Sequence, residues 1–506
     1  MKTRFLLSGL MAVAVLTMTS CDNDEVDISY TQQGPSATGA DARGKLVSVL
    51  KSENYSPDEF MDAVMPRAVF KALGTWVPDL HPLVETVSRV KLAPQLAKLD
   101  RQFRTELGQR LPVHRKWQME SHVFSYITTA SNGAEVVLSG RVTFPNNMVD
   151  GTDHEVQTLS LFTHPAVAAV QWQPSEEMGL ICLRAMQNSA VIEPDLQGFG
   201  VDYEKNYLPV LSTAALSRQM ADCATAAIKL MAQRGVRLAP DGYTTSWGGS
   251  LLAGTTIAFQ QYYETQAPDA FRKALNLKST FVATNIREEL SAVMTSLQTS
   301  DISSFLMNYT ILLRNLNALS PAQARGYRVS DFLSERAMSE PLVINGEKAT
   351  VYEYVTKVQA LYPQMVKSEQ LSAQWHVADL VPADMLTAAG AFSPNCPKMG
   401  ALREILASAG MPQGYKPQLP LYLCQNDNDK FCPQKDFDSY CNILSQGGTN
   451  PCVHKGIIPL SGLTLKAGER MGMGTIHFAS YAVALLEMST AETAEEIYNR
   501  FNKSNR

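Results

Sequence analysis

The sequence predicts an α/β protein with a mostly parallel central sheet, and three observations carry that prediction. From Leu159 onward, short apolar strands alternate with amphipathic helices, the order that wraps helices around parallel strands. Just before them, residues 122–144 take a period of two on either side of Ser131-Asn132-Gly133, as expected of a hairpin that opens the sheet. The motifs with chemical character then fall at the carboxyl ends of expected strands, the edge where ligands gather in such sheets.

At 506 residues the chain can build one large domain with an insertion, or two domains. Charged residues make up 18% and the formal net charge is −5, so there is no basic footprint for nucleic acid. A hydrophobic content of 45% suits a globular body with a large core, and after the first twenty residues no stretch is apolar enough to span a bilayer.

Lys2 and Arg4 precede an apolar run from Phe5 to Met18, and Thr19-Ser20-Cys21 follows. This pattern resembles a bacterial lipoprotein signal over residues 1–21, in which Cys21 becomes the lipidated N-terminus. Asp22-Asn23-Asp24-Glu25-Val26-Asp27 then resembles the surface-export signal of Bacteroidota lipoproteins. The expectation is an outer-membrane lipoprotein facing outward, joined through a flexible tether at residues 22–45. Of the seven cysteines after Cys21, Cys441 and Cys452 are close enough in sequence to pair, but spacing fixes no connectivity. No metal-ligand spacing stands out, so neither a metal nor a cofactor is expected.

Residues 46–115 read as a helical segment. Ser56-Pro57-Asp58-Glu59 is a capping box with proline at the first helical position; Phe60, Val64, Ala68 and Val69 follow on one face, and Pro66 should kink it. A second periodic stretch covers about 94–111. In the core, expected over 116–278 and 416–506, Leu159–Thr163 is a strand ending at His164-Pro165. Ala190–Pro194 is the next, and Asp195-Leu-Gln-Gly198-Phe-Gly200 follows it with two glycines suited to a tight turn. A helix over 213–233 carries Met220, Ala224, Ala227 and Leu230 at helical spacing, and Gly235 closes it.

Tyr243-Thr244-Thr245 then runs into Ser246-Trp247-Gly248-Gly249 and a helix reaching about Tyr263. A strand that turns sharply into a helix holds a serine up as a nucleophile and wants small residues two positions to either side. Gly248 meets that demand for Ser246 and Thr244 does not. A serine before two glycines also reads as a simple helix N-cap.

The order of these elements resembles the α/β-hydrolase fold, and within it the secretory lipase and related esterase group, over about residues 120–490. The resemblance implies an acid and then a histidine after the serine. Pro420–Cys424 reads as a strand running into Gln425-Asn426-Asp427-Asn428-Asp429-Lys-Phe-Cys-Pro433. Where the family commonly has His-Gly-x-x-Asp-x-x-Val-Pro, alignment on Pro433 makes Asp429 the acid, with Asp427 a rival and Gln425-Asn426 in place of His-Gly. Gly472-Met-Gly474-Thr-Ile-His477 places a histidine on a glycine-bearing loop before a helix beginning at Phe478. The implied triad is Ser246, Asp429 and His477. The implied oxyanion donors are the Trp247 backbone N–H and, from the loop after Thr163, that of Ala166 or His164. Residues 279–415 take the place of a helical lid. Its Met294, Leu297, Phe305, Met307, Tyr309 and Leu312 are read mainly as core and, less readily, as an acyl pocket.

The resulting expectation is a serine hydrolase of carboxylic esters acting through an acyl-enzyme on a small-molecule, glycan or lipid ester. A peptidase or amidase of the same fold is one alternative, and an inactive surface binding protein the other.

Overall fold

The computed structural model describes residues 43–64, 117–147, 153–164, 173–203, 205–299, 301–344, 347–357, 374–429, 432–458 and 474–503. Cys21 and its flanking segments, Pro66, Ala68, Val69, the stretch 94–111 and Ala166 lie outside the described residues.

Strands β1 (Leu46–Tyr55), β2 (Trp117–Thr129), β3 (Glu135–Asn147), β4 (His154–Phe162), β5 (Ser189–Pro194), β6 (Val236–Gly249), β7 (Leu277–Ala283), β10 (Leu421–Gln425) and β11 (Val453–Ile457) form one sheet, in the order β1-β2-β3-β5-β4-β6-β7-β10-β11. A small antiparallel pair, β8 (Leu342–Ile344) and β9 (Glu347–Ala349), lies between β7 and β10 in the chain. The sheet is antiparallel from β1 to β5 and parallel from β5 to β11. The principal helices are α1 (Thr213–Gln233), α2 (Ala253–Thr265), α3 (Glu289–Thr299), α4 (Ile302–Asn317), α5 (Pro397–Ala409), α6 (Gln434–Leu444), α7 (Gly474–Thr490) and α8 (Ala494–Lys503).

Alternation along each central strand sends side chains to two apolar layers, which is why these strands read as continuous hydrophobic runs. Leu159, Leu161 and Ile192 pack with Leu216, Met220 and Ala224 of α1 and Phe259 of α2. Phe162, Val191, Trp247 and Phe281 pack on the other face with Tyr481 and Ala484 of α7 and with Ile497 and Phe501 of α8. The small residues of α1 let it lie close to the sheet. At Gly140 of β3, an added Cβ would come within 2.7 Å of Cys223 Sγ.

The helical expectation for 46–115 is corrected at its start. Leu46–Tyr55 is an edge strand antiparallel to β2, with Ser52 opposite His122. Half of its residues are apolar but most are exposed, and pairing with the long buried β2 decides its conformation where local propensity is weak. The capping box does form: Ser56 N donates to Glu59 Oε2 at 2.8 Å and Glu59 N to Ser56 Oγ at 3.3 Å. It opens a helix whose Phe60 and Val64 are buried against Met119, Leu180 and Leu183.

The described residues between β7 and β10 are mainly helical, with α3, α4 and α5 among them. Met294, Leu297, Phe305, Tyr309 and Leu312 are buried in the same apolar cluster as α1 and α2, and the half-buried Met307 packs against it. These side chains are therefore core. Hydrogen bonds tie the insertion to the body: Leu211 N donates to Asn315 Oδ1 at 2.8 Å and Ser131 Oγ to the Ala318 carbonyl at 2.9 Å. Cys441 and Cys452 are both free thiols. Among the described residues no helix is long and apolar enough to cross a membrane.

Candidate active site

β6 does not stop at Thr245. It continues through Trp247, opposite Phe162 and Phe281, to Gly249, opposite Ala283. Ser246 is thus an interior strand residue, fully buried between Leu161 and Thr280. The turn into α2 falls at Ser250, four residues on and roughly 13 Å further along the strand. Ser250 has φ +53°, a left-handed conformation that strains any residue with a Cβ. Both preceding glycines are required by close approach: a Cβ at Gly248 would collide with the Thr256 side chain, and one at Gly249 with the Ala283 carbonyl. The pattern about Ser250 is therefore Gly248-Gly249-Ser250-Leu251-Leu252. Leu252 is accommodated because Ser250–Leu252 form a 3₁₀ turn before α2 begins, and its side chain enters the core.

His477 Nε2 lies 3.0 Å from Ser250 Oγ, and His477 Nδ1 lies 2.8 Å from Asp429 Oδ2. All three residues are buried. The structure brings Ser250, not the expected Ser246, to His477, and it places His477 beside Asp429, the pairing the sequence led us to expect. His477 sits in the first turn of α7 instead of on a loop before it, and α8 follows as a further helix. Asp429 closes a turn after β10, in which its N–H donates to the Asn426 carbonyl at 3.2 Å and Asn428 N to Asn426 Oδ1 at 2.9 Å. Asn426 Nδ2 donates to the Ile458 carbonyl at 2.9 Å, fastening this turn to the end of β11. The rival Asp427 is exposed and accepts from Asn428 Nδ2 at 2.9 Å.

Trp247 lies within β6, with its carbonyl accepting from Thr163 N at 2.8 Å and its indole packed beneath the Arg184 guanidinium at 4.7 Å. It precedes Ser250 by three residues, so the N–H expected to serve Ser246 is not at the serine that meets His477. Leu251 is the residue that follows Ser250 in the 3₁₀ turn. His164 is half-buried after β4, its ring edge-on to Phe162.

Two neighbours brace the site: Asn285, which sequence reasoning missed, and Gln425, which it noted only as a departure from His-Gly. Asn285, in the turn after β7, donates from Nδ2 to the Ser250 carbonyl at 3.3 Å and to Glu289 Oε2 at 3.4 Å. Gln425, the last residue of β10, donates from Nε2 to Asp429 Oδ2 at 2.9 Å. Their signal in the sequence is position alone: each stands where a strand ends at the same edge as the serine.

At the end of β5, Asp195 accepts from Ser139 Oγ at 2.7 Å, and burial raises its carboxyl to about 6. Gly198 and Gly200, at φ +87° and +56°, make the tight turn expected of them. Glu193 accepts from Cys182 Sγ at 2.9 Å, and burial, only partly offset by Cys182 and Arg141, raises it to about 7. A second line of the same residue types runs from Ser52 Oγ to His122 Nδ1 at 2.8 Å and from His122 Nε2 to Glu120 Oε2 at 2.9 Å. There the serine lies within β1, four residues before the capping-box Ser56 and not at a strand-to-helix turn, and Glu120 is also engaged by Arg234 Nε at 3.0 Å.

No family model matches the chain, and no curated protein matches it. Its fold is similar to solved structures of the rice cell wall degrading esterase LipA from Xanthomonas oryzae. A single-residue mutant of that esterase superposes with a TM-score of 0.57 at 15% identity, covering 90% of this chain and 100% of that one. A ligand-bound form does so at 0.55 and 17%, covering 92% and 100%. A Legionella pneumophila protein described as a hydrolase gives 0.51 at 13%, covering 80% and 96%. With its mostly parallel nine-stranded sheet, flanking helices and these neighbours, the chain has the α/β-hydrolase fold.

Proposed function

We propose that this protein is a serine hydrolase of carboxylic esters, with Ser250 as nucleophile, His477 as general base and acid, and Asp429 as the residue that orients the imidazole. The observation that carries the proposal is the unbroken line from Ser250 Oγ to His477 to Asp429 at 3.0 and 2.8 Å, on a strained serine at a strand-to-helix turn. A serine hydroxyl is a poor nucleophile near neutral pH, so it must lose its proton as it attacks. With Nδ1–H held by Asp429, His477 Nε2 takes that proton, and the carboxylate stabilises the imidazolium. Collapse of the tetrahedral intermediate passes the proton to the leaving alcohol. Water, deprotonated by the same nitrogen, then releases the acid and restores Ser250.

The oxyanion needs donors fixed before it forms, each worth about 3 kcal/mol. The Leu251 N–H, at the head of the 3₁₀ turn and α2, supplies the first; the second is proposed from the backbone after β4, at His164 or Ala166. Similarity to esterase structures favours esters among the substrates this chemistry can cleave. The N-terminal pattern extends the proposal to lipid attachment at Cys21 and an outward-facing outer-membrane location, to be checked by labelling with a fatty-acid analogue and by protease shaving of intact cells.

A fluorophosphonate probe tests the core of the reading. Wild type and Ser246→Ala should both label and hydrolyse p-nitrophenyl acetate, while Ser250→Ala should lose labelling and roughly 10⁴-fold or more of kcat. Labelling that survives in Ser250→Ala, or disappears in Ser246→Ala with folding intact, overturns it. Ser52, in the second line, is covered by the same experiment.

A further inference from the structure

We infer that Gln425 is a positioning residue of this site: its side-chain amide, wedged between the ends of β7 and β10, fixes the Asp429 carboxylate in the plane that His477 needs. The inference rests on the reading of Ser250, His477 and Asp429 as a triad. Gln425 is fully buried, and its two amide ends have opposite tasks. Nε2 donates to Asp429 Oδ2 at 2.9 Å, and Oε1 accepts from Ile286 N at 3.5 Å. Inverting the amide would set its oxygen against a carboxylate oxygen and its N–H₂ against a backbone N–H, so the network permits one orientation only.

The oxygen that Gln425 engages is the one that His477 Nδ1 engages. Two N–H donors converging on a single carboxylate oxygen fix the rotation of the carboxyl about its bond to the chain. A second donor on that oxygen also draws electron density from it and weakens it as an acceptor for His477. Ile286 immediately follows Asn285, whose amide holds the Ser250 carbonyl. One short turn after β7 therefore touches both the nucleophile's backbone and, through Gln425, the acid. Arg287, Asp429, Glu289 and Asp436 all lie near enough to the buried Cys432 thiol to act on it electrostatically, with Arg287 paired to Glu289 at 2.9 Å. A change at Gln425 leaves those groups in place.

The test is the pH dependence of ester hydrolysis by Gln425→Met, a change that keeps the length of the side chain and removes the donor. Relieved of the second N–H, Asp429 should hold the imidazolium more strongly. The acid limb of kcat/KM should then move to higher pH by about half a unit to one unit, and kcat at its plateau should fall about tenfold with KM unchanged. In an Asp429→Asn background the same substitution should have no further effect on kcat. A limb that does not move, or single effects that multiply in the double variant, overturns the inference and leaves Gln425 a packing residue. Retained fluorophosphonate labelling at Ser250 in Gln425→Met separates that result from failure of the triad itself.

Discussion

Asp427 and Asp429 are two residues apart, and the turn between them points one carboxylate to solvent and the other at His477. Asp429→Asn should therefore lower kcat by about 10⁴-fold, because an amide there favours the wrong imidazole tautomer; Asp427→Asn should stay within about twofold of wild type. Esterase kinetics on the pair decide it, and equal losses would remove Asp429 from its role. At Glu193 the prediction concerns stability. Its carboxyl is raised to about 7 in the folded protein from an ordinary value of 4.5. The neutral form's contribution is thus complete below about pH 4.5 and is lost as pH rises through 7, by roughly 3 kcal/mol if no group compensates. Glu193→Gln should flatten the fall in melting temperature between pH 5 and 8. The pairing of His477 with Asp429 was legible from order along the chain and from the spacing to Pro433. The serine was not: Gly248 lies two residues after Ser246 and two before Ser250, so the same glycine completes half of the pattern for each. The better signal was that Tyr243-Thr-Thr-Ser-Trp247 is a continuous run of strand-forming character, which leaves Ser250 as the residue at the turn.

The strand-helix alternation, the hairpin of β2 and β3 and the long α1 could be read from periodicity because each has one buried face or two. β1 could not. Its residues are mostly exposed, and nothing in Leu46-Val-Ser-Val-Leu-Lys separates an edge strand from a helix until β2 is beside it. At the level of packed elements, the close approach of α1 to β3 depends on Gly140. Gly140→Ala should cost about 1–3 kcal/mol, since either Cys223 or the strand must move. Adding Cys223→Ala should recover most of that loss by removing Sγ. Chemical denaturation of the single and double variants reads the coupling, and strictly additive losses would place the strain elsewhere.

Across the whole molecule, the insertion after β7 and the helices over the sheet share one apolar cluster and are tied by Ser131–Ala318 and Leu211–Asn315. A lid that swings as a rigid body would have to tear that cluster open. Thermal unfolding should accordingly be one cooperative transition, and hydrogen exchange in α4 should be as slow as in α1. Two separate calorimetric peaks, or early exchange confined to α4, would show the insertion to be an independent unit.

The left-handed backbone at Ser250 also bears on how this protein can be remodelled. Glycine occupies that geometry at no steric cost, so Ser250→Gly should melt at a higher temperature than Ser250→Ala, by the equivalent of about 1 kcal/mol. The hydroxyl group is then a chemical asset carried on a backbone that would rest more easily without it. Any selection for heat tolerance alone would tend to erase it.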